Sequence, residues 1–508
     1  MLPQRETAWR PVADLPPQRL FGQILAVPRR RYCVHIPLLL LLTGLLTWVV
    51  PTDFMLAIAS FVGGVVGFYM FFEWVFRGPT RFSTTLGIGL LTGYAGGSFN
   101  TWATVPRAGF TLGHFLGLDD AVLARGIAGV LISCAILIAW GELFEKPIFG
   151  LDFEFRQGSR LNSLIVLGML AVMAAFKMGA LSYMGVSSEG GHLGLGAAAA
   201  QWFFPPLVNI AVTNFVLIPG KGMRKWVMGI CAFALLLMLA VTGRRTLIYT
   251  CAVTLFMIRM AGFRLMGNIR RQVMVLGLSA VFIVTCSLGF MLLRVAGYNN
   301  EGRKSVGLQE RMTVALALIK NGTALDRAVS STQENVKTRT FVLGFLAQVL
   351  DGSERKTPGL GRDAFTLLQA AVPSAINPYK HEFASIHEND FPSEEFLADS
   401  LFGFSYWDEA NSILTAGAVD FGLIGMILYP IITAWCLRWV VEFASSFLQQ
   451  TSALFLVLSC LFEVLSAENT ITSFAVTVFH GILFITFLEI FFRLPRFQLR
   501  AATPVAGY

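Results

Sequence analysis

Two adjacent arginines, Arg244 and Arg245, follow Gly243 in a short turn between two apolar runs, in the stretch TGRRTLIYT. A guanidinium keeps its charge in a partly desolvated site and presents planar, paired donors that match phosphate oxygens. The same residues also serve as snorkelling anchors at helix ends, so the pair by itself leaves both roles open. Arg294 closes another apolar run, and Arg303 and Arg311 stand early in a long polar stretch, where they could converge on the same rim. Several arginines on one rim suit a diphosphate. A lipid diphosphate accounts for both the cations and the apolar chain, because its tail lies among helices while its head sits at the interface. Donors placed there would stabilise a departing diphosphate as charge develops on it.

Transfer chemistry at such a centre needs a group that takes a proton from the attacking hydroxyl, and a carboxylate or histidine can do so. Glu409, and after it Asp408, flank the start of an apolar run at the same face, with helix capping as the competing role. The stretch HEFASIHENDFPSEEF supplies His381, Glu382, His387, Glu388 and Asp390. Its histidines are six apart rather than four, so it is no zinc-protease helix, and a hydrated acidic loop is the default. His114 and His192 are further candidates without support from neighbours. Asp420, His480 and Lys177 fall inside apolar runs, where an ionisable group is costly and therefore a functional suspect. Glu463 and Glu468 are expected at the outer boundary, where solvation is cheap. All seven cysteines lie in or beside apolar segments, which indicates neither a disulfide framework nor a thiolate metal site.

The elements that must position these residues follow from composition. Hydrophobic residues make up 55% of the 508 positions and charged residues 14%, a balance that calls for lipid as the solvent. Apolar runs of roughly 20 residues fit helices rather than the alternating strands of a barrel. About twelve spans are predicted, near 36–50, 54–76, 83–105, 121–144, 161–183, 197–219, 226–242, 246–260, 272–295, 411–437, 451–467 and 470–492. The fold class is thus an all-α polytopic membrane protein. Its parts are a cytoplasmic tail (1–35), nine spans (36–295), a large periplasmic loop (296–410), three spans (411–492) and a second cytoplasmic tail (493–508). Arg77, Arg81, Arg156, Arg160, Lys221, Arg224, Lys225, Arg259, Arg438 and Arg493 all fall on the cytoplasmic side in this arrangement. The net charge of +8 therefore reflects orientation in a membrane, not a nucleic-acid surface. Within the long loop, Leu308–Ile319, Thr340–Leu350 and Asp363–Val372 are amphipathic and predict short helices lying on the membrane or capping a cavity.

TGRRTLIYT, QERMTVALALIK (309–320) and WDEANSILTAGAVDFGLIGMILYP (407–430) together resemble the pattern of Wzy-type O-antigen and exopolysaccharide repeat-unit polymerases and the related O-antigen ligases. The resemblance covers roughly 225–490. It implies a GT-C-like glycosyltransferase fold in a bacterial inner membrane, no metal or other cofactor, and an undecaprenyl-diphosphate-linked oligosaccharide as donor. Arg245 and Arg311 occupy the positions of two family arginines, and Arg244 replaces a small residue. Family ligases tend to carry histidine before the asparagine of the last motif, whereas Ala410 precedes Asn411 here. Asn411, His381 and His387 remain candidates for acceptor or loop contacts. The implied activity is polymerisation of repeat units, with membrane lipids and a chain-length regulator as further expected partners. Ligation to an acceptor is the alternative enzyme, and a flippase is the alternative of a different class.

Overall fold

The structure is a computed structural model. It describes residues 31–76, 81–104, 109–148, 159–177, 195–217, 222–242, 244–260, 342–372, 412–448 and 450–493, with scattered stretches between 274 and 320. Among the described residues the chain is helical, with no strand. A π-turn at Arg31–His35 leads into α1 (Ile36–Val49), followed by α2 (Asp53–Phe76). Next come α3 (Phe82–Leu90), a π-turn (Leu91–Gly96) and α4 (Gly97–Thr104), which form one interrupted rod. Then follow α5 (Leu112–Leu116), α6 (Asp120–Phe144), α7 (Ser159–Lys177), α8 (Leu195–Leu217), α9 (Met223–Thr242) and α10 (Arg244–Met260). The remainder is α11 (Leu343–Arg355), α12 (Arg362–Ala371), α13 (Ile413–Ser445), α14 (Gln450–Leu465) and α15 (Ile471–Arg493).

Seven helices among the described residues are long and apolar enough to cross a membrane: α1 with its leading turn, α2, α6, α7, α9, α13 and α15. The protein is a multi-pass helical membrane protein. Large apolar side chains stand exposed along α1 (Leu38, Leu42, Leu45, Leu46) and along α13 (Trp435, Trp439, Phe443), as a lipid-facing surface requires. The inward faces are made by α6, which is buried along most of its length and packs against α1, α3, α11 and α13.

The two ends of the bundle are fixed by different chemistry. At one end, here the lower, Glu145 follows α6 and accepts the backbone N–H groups of Phe82 (2.8 Å) and Ser83 (3.1 Å), capping α3 from another part of the chain. Arg81 pairs with Glu142 at 2.6 Å and donates through Nε to the Glu145 carbonyl at 2.7 Å. Arg438 of α13 reaches the Pro147 carbonyl at 3.2 Å and pairs with Glu442. At the upper end, Asp53 accepts the Leu112 N–H (3.0 Å) and the Trp102 indole N–H (3.2 Å), while Asp119 and Asp120 cap α6 and bind the Gly113 N–H.

Two departures from straight helices shape the interior. The π-turn at Leu91–Gly96 lies backbone to backbone on α2, where Gly64 and Gly67 leave room: a Cβ at Gly64 would sit 3.2 Å from Gly96 Cα, and one at Gly67 3.0 Å from Thr92 N. The second departure corrects the sequence expectation of one straight span at 411–437. Phe421 and Gly422 are non-helical, Gly422 with φ +60°, and the chain reverses there. A Cβ at Gly417 would stand 2.3 Å from the Gly425 carbonyl oxygen, a contact between residues eight apart that one continuous helix forbids. Thus α13 is a hairpin of a short rising arm, 413–420, and a long descending arm, 423–445.

Two of the three amphipathic stretches expected in the polar loop appear as α11 and α12, and residues 313–317 of the third are helical. Leu343 and Ala347 of α11 meet Gly126 of α6, and Leu350 meets Gly129, so α11 packs on the upper part of α6 and on the hairpin. From there α12 continues to the start of α15, where Thr472 donates to the Leu367 carbonyl at 3.2 Å.

Candidate functional site

Two apolar helices are short among the described residues. α10 has 17 described residues and α14 has 16, about 25 Å each at about 1.5 Å per residue. Their upper ends lie below the rim set by Asp53, Trp102 and Asp120, so among the described residues they form a recessed floor. The residues that end or begin helices there are those whose backbone polar groups the bundle must satisfy.

The floor can be triangulated from contacts. Gly93 of the π-turn faces Ala467 in the turn between α14 and α15, and Gly89 faces the Leu465 carbonyl. Tyr94, fully buried, donates from its hydroxyl to Ser412 Oγ at 2.7 Å. Ser412 in turn caps the rising arm of α13 by accepting Leu414 N–H (3.1 Å) and Thr415 N–H (3.2 Å). The Ile413 N–H donates to the Asn469 carbonyl at 3.0 Å. Tyr94 lies eight residues before Trp102 on the same rod, so the floor is about 12 Å below the rim.

The arginine turn reaches the same level. Tyr249 of α10 packs edge-on to Phe462 of α14 with ring centroids 6.0 Å apart. Phe462 lies one turn below the end of α14, and α10 begins five residues before Tyr249. Arg244 and Arg245 therefore start α10 at the floor, beside the α14–α15 turn and on the level of Ser412. Farther down, Trp74 stacks on Phe256 at 4.9 Å and fixes the axis of α10 against α2. The backbone of both arginines is placed, and their side chains lie outside the described ones.

Asp408, Glu409 and Asn411 lie outside the described residues, as do Arg294, Arg311, His381 and His387. Asn411 is nevertheless joined by one peptide bond to Ser412, whose position is fixed by Tyr94 and by the Ile413 to Asn469 bond. The structure thus brings the start of α10 and the residue that follows the 408–411 stretch to one floor. Lys177 ends α7.

Sequence reasoning passed over Glu463. Placed at a cheaply solvated boundary by hydropathy, it is instead half-buried at the end of short α14. Asn469 donates to its carboxylate and to its backbone carbonyl, both at 2.6 Å, and Thr477 reaches the same carboxylate. A carboxylate held by an asparagine next to an arginine-bearing helix start is a candidate proton acceptor. The signal was the spacing of Glu463 and Asn469 around the five-residue turn 466–470, which hydropathy does not weigh.

Asp420 was suspected because of its place in an apolar run. It sits at the hairpin tip, fully buried, and its carboxylate accepts three hydrogen bonds. Oδ1 accepts Asp363 N–H and Oδ2 accepts Ala364 N–H, both at 3.0 Å, while the Tyr429 hydroxyl donates to Oδ2 at 2.7 Å. It caps α12, a structural role.

No family model matches this chain, and neither a curated protein nor a solved structure matches it.

Proposed function

We propose that this protein is a metal-independent glycosyltransferase that joins undecaprenyl-diphosphate-linked oligosaccharide repeat units into a polysaccharide at the periplasmic face of a bacterial inner membrane. The observation that carries the proposal is the arginine pair at the start of α10, recessed about 12 Å below the rim in a helical membrane protein. A helix N-terminus presents unpaired N–H groups and the positive end of its dipole, and two guanidiniums there add charge-matched donors for a diphosphate. The lipid tail would leave sideways along the apolar helices.

In this scheme the chain has about twelve spans, with α8, α10 and α14 counted among them, and a GT-C-like arrangement. The Arg81–Glu145 end faces the cytoplasm, in keeping with the run of basic residues on that side. The recess then opens to the periplasm beneath the loop 296–410. The terminal sugar hydroxyl of an incoming lipid-linked unit attacks the anomeric carbon of the growing chain. The bond from that carbon to the diphosphate oxygen breaks, and its electron pair leaves with the diphosphate. Arg245, Arg244, Arg311 and Arg294 hold the diphosphates and stabilise the departing charge. The hydroxyl proton passes to a carboxylate, Glu409 in the first instance and Glu463 as the second candidate.

One observation favours a flippase as the second reading. The broken helix α13 resembles the discontinuous helices of transporters, although among the described residues it has no matching partner. Arg245→Lys keeps the charge but removes the paired donors, so it tests the diphosphate assignment. Shortened polymer with the protein still folded is expected, and full-length polymer from that variant would refute it.

A further inference from the structure

We propose that the seat of α12 on the hairpin tip is proton-linked, held while Asp363 is protonated and released when Asp363 ionises. This linkage does not depend on the reaction proposed for the protein. α12 runs from the tip of α13 to the first turn of α15. Its catch is made of few groups. Asp420 holds the Asp363 and Ala364 N–H groups in the first turn of the helix, which have no intrahelical partner. The Gly359 N–H donates to the Val419 carbonyl (2.8 Å) and the Leu360 N–H to that of Asp420 (3.0 Å), closing the end of the rising arm. Gly359 has to be glycine, since a Cβ there would lie 2.6 Å from Asp420 Oδ1.

Asp363 is the sensitive part. Its side chain is fully buried, and neither carboxyl oxygen has a hydrogen-bond partner. The Asp420 carboxylate packed against it offers no donor, so Asp363 in its ionised form would be an uncompensated charge against another carboxylate. The groups around it do not relieve this. α13 contributes Asp420 and the Tyr429 hydroxyl, which is committed to Asp420. α15 brings Thr472, and its first two turns carry no ionisable residue. α11 carries Asp351, Glu354 and Arg355, of which Arg355 pairs with Asp351 at 3.0 Å and Glu354 with Arg125 at 3.6 Å. The neighbouring Arg362 is exposed. Burial, and after it the charge of Asp420, pushes the Asp363 carboxyl up to about 8.

The direction follows from linkage. The caught state binds the proton more tightly than a released, hydrated Asp363, so the catch is strongest at low pH. It weakens as pH rises above the ordinary carboxylate range, and the loss is complete once pH exceeds the raised value. Released, α12 would lose its hold on the hairpin tip, and its exposed Phe365 and Leu368 would stay available to lipid.

Hydrogen exchange read by mass spectrometry on the full-length protein tests this directly. The reporters are the Asp363 and Ala364 amides, followed at pH 6 and pH 9 and corrected for intrinsic exchange. Protection is expected to fall at least about tenfold from pH 6 to pH 9, while amides of α6 stay unchanged. In Asp363→Asn the protection should be the same at both pH values, and Asp363→Ala serves the same purpose if the amide variant does not fold. Equal protection in the wild type at both pH values, or a fall that survives both substitutions, would overturn the proposal.

Discussion

A methyl group at Gly417 is the sharpest single perturbation of the site's scaffold. Its Cβ would fall 2.3 Å from the Gly425 carbonyl oxygen and 2.4 Å from the carbonyl carbon, both backbone atoms that no rotamer change can move. Restoring ordinary contact at 3.4 Å or more requires the two arms of α13 to part by about 1 Å. The rising arm is eight residues long and anchored at both ends, at its foot through Ser412 and Asn469 and at its tip through Gly359, Leu360 and Asp420. A shift of that size stretches at least one anchor. Overpacking of this kind costs about 1–3 kcal/mol, and a strained backbone bond adds about 1 kcal/mol. Gly417→Ala should therefore lower the apparent Tm in detergent by about 5 °C and depress activity. Gly277→Ala, where nothing lies within 4 Å of the new Cβ, is the matched control and should change the Tm little. A Gly417→Ala protein as stable and active as that control would show that the arms are not in close contact and would remove the hairpin from the account.

Four further substitutions probe the floor and the lower end. Tyr94→Phe deletes the hydroxyl that holds Ser412 and should cost about 1 kcal/mol, with turnover falling while circular dichroism stays unchanged; undiminished turnover would detach that hydrogen bond from the chemistry. Glu409→Gln and Glu463→Gln, each measured across pH, should identify the proton acceptor, since removing it costs about 10²–10⁴ in kcat and abolishes the acidic limb of the profile. If neither carboxamide slows turnover, both residues are excluded as the base. Glu145→Ala leaves the N–H groups of Phe82 and Ser83 without their acceptor and should destabilise the fold by about 2–4 kcal/mol without changing KM; a normal Tm would contradict the capping role.

Hydropathy located most long helices to within a few residues, as at 54–76 against Asp53–Phe76 and 470–492 against Ile471–Arg493. It did so because lipid imposes one length scale and a nearly binary composition on each span. The hairpin in α13 was invisible for the same reason. Phe421, Gly422, Leu423 and Ile424 continue the apolar run without a break, and reversal depends on Gly422 at positive φ and on Gly417 and Gly425 meeting in space. Asp420 was correctly picked out as unusual, but its partners at 363 and 364 lie more than fifty residues away, across polar sequence that carries no pairing signal. The arginine turn was legible from residue type and the two flanking apolar runs. Its depth was not, because depth follows from the shortness of α14 and from which helices stand beside it.

The central claim is that the recess joins repeat units carried on a lipid diphosphate. The most direct measurement is incubation of the purified protein, without added metal, with one lipid-linked oligosaccharide repeat unit, followed by separation of the products by size. A ladder in which each rung adds one repeat unit and releases one equivalent of lipid diphosphate is the predicted result. Unchanged starting material, together with its passage intact across a vesicle membrane, would contradict the claim and favour a flippase.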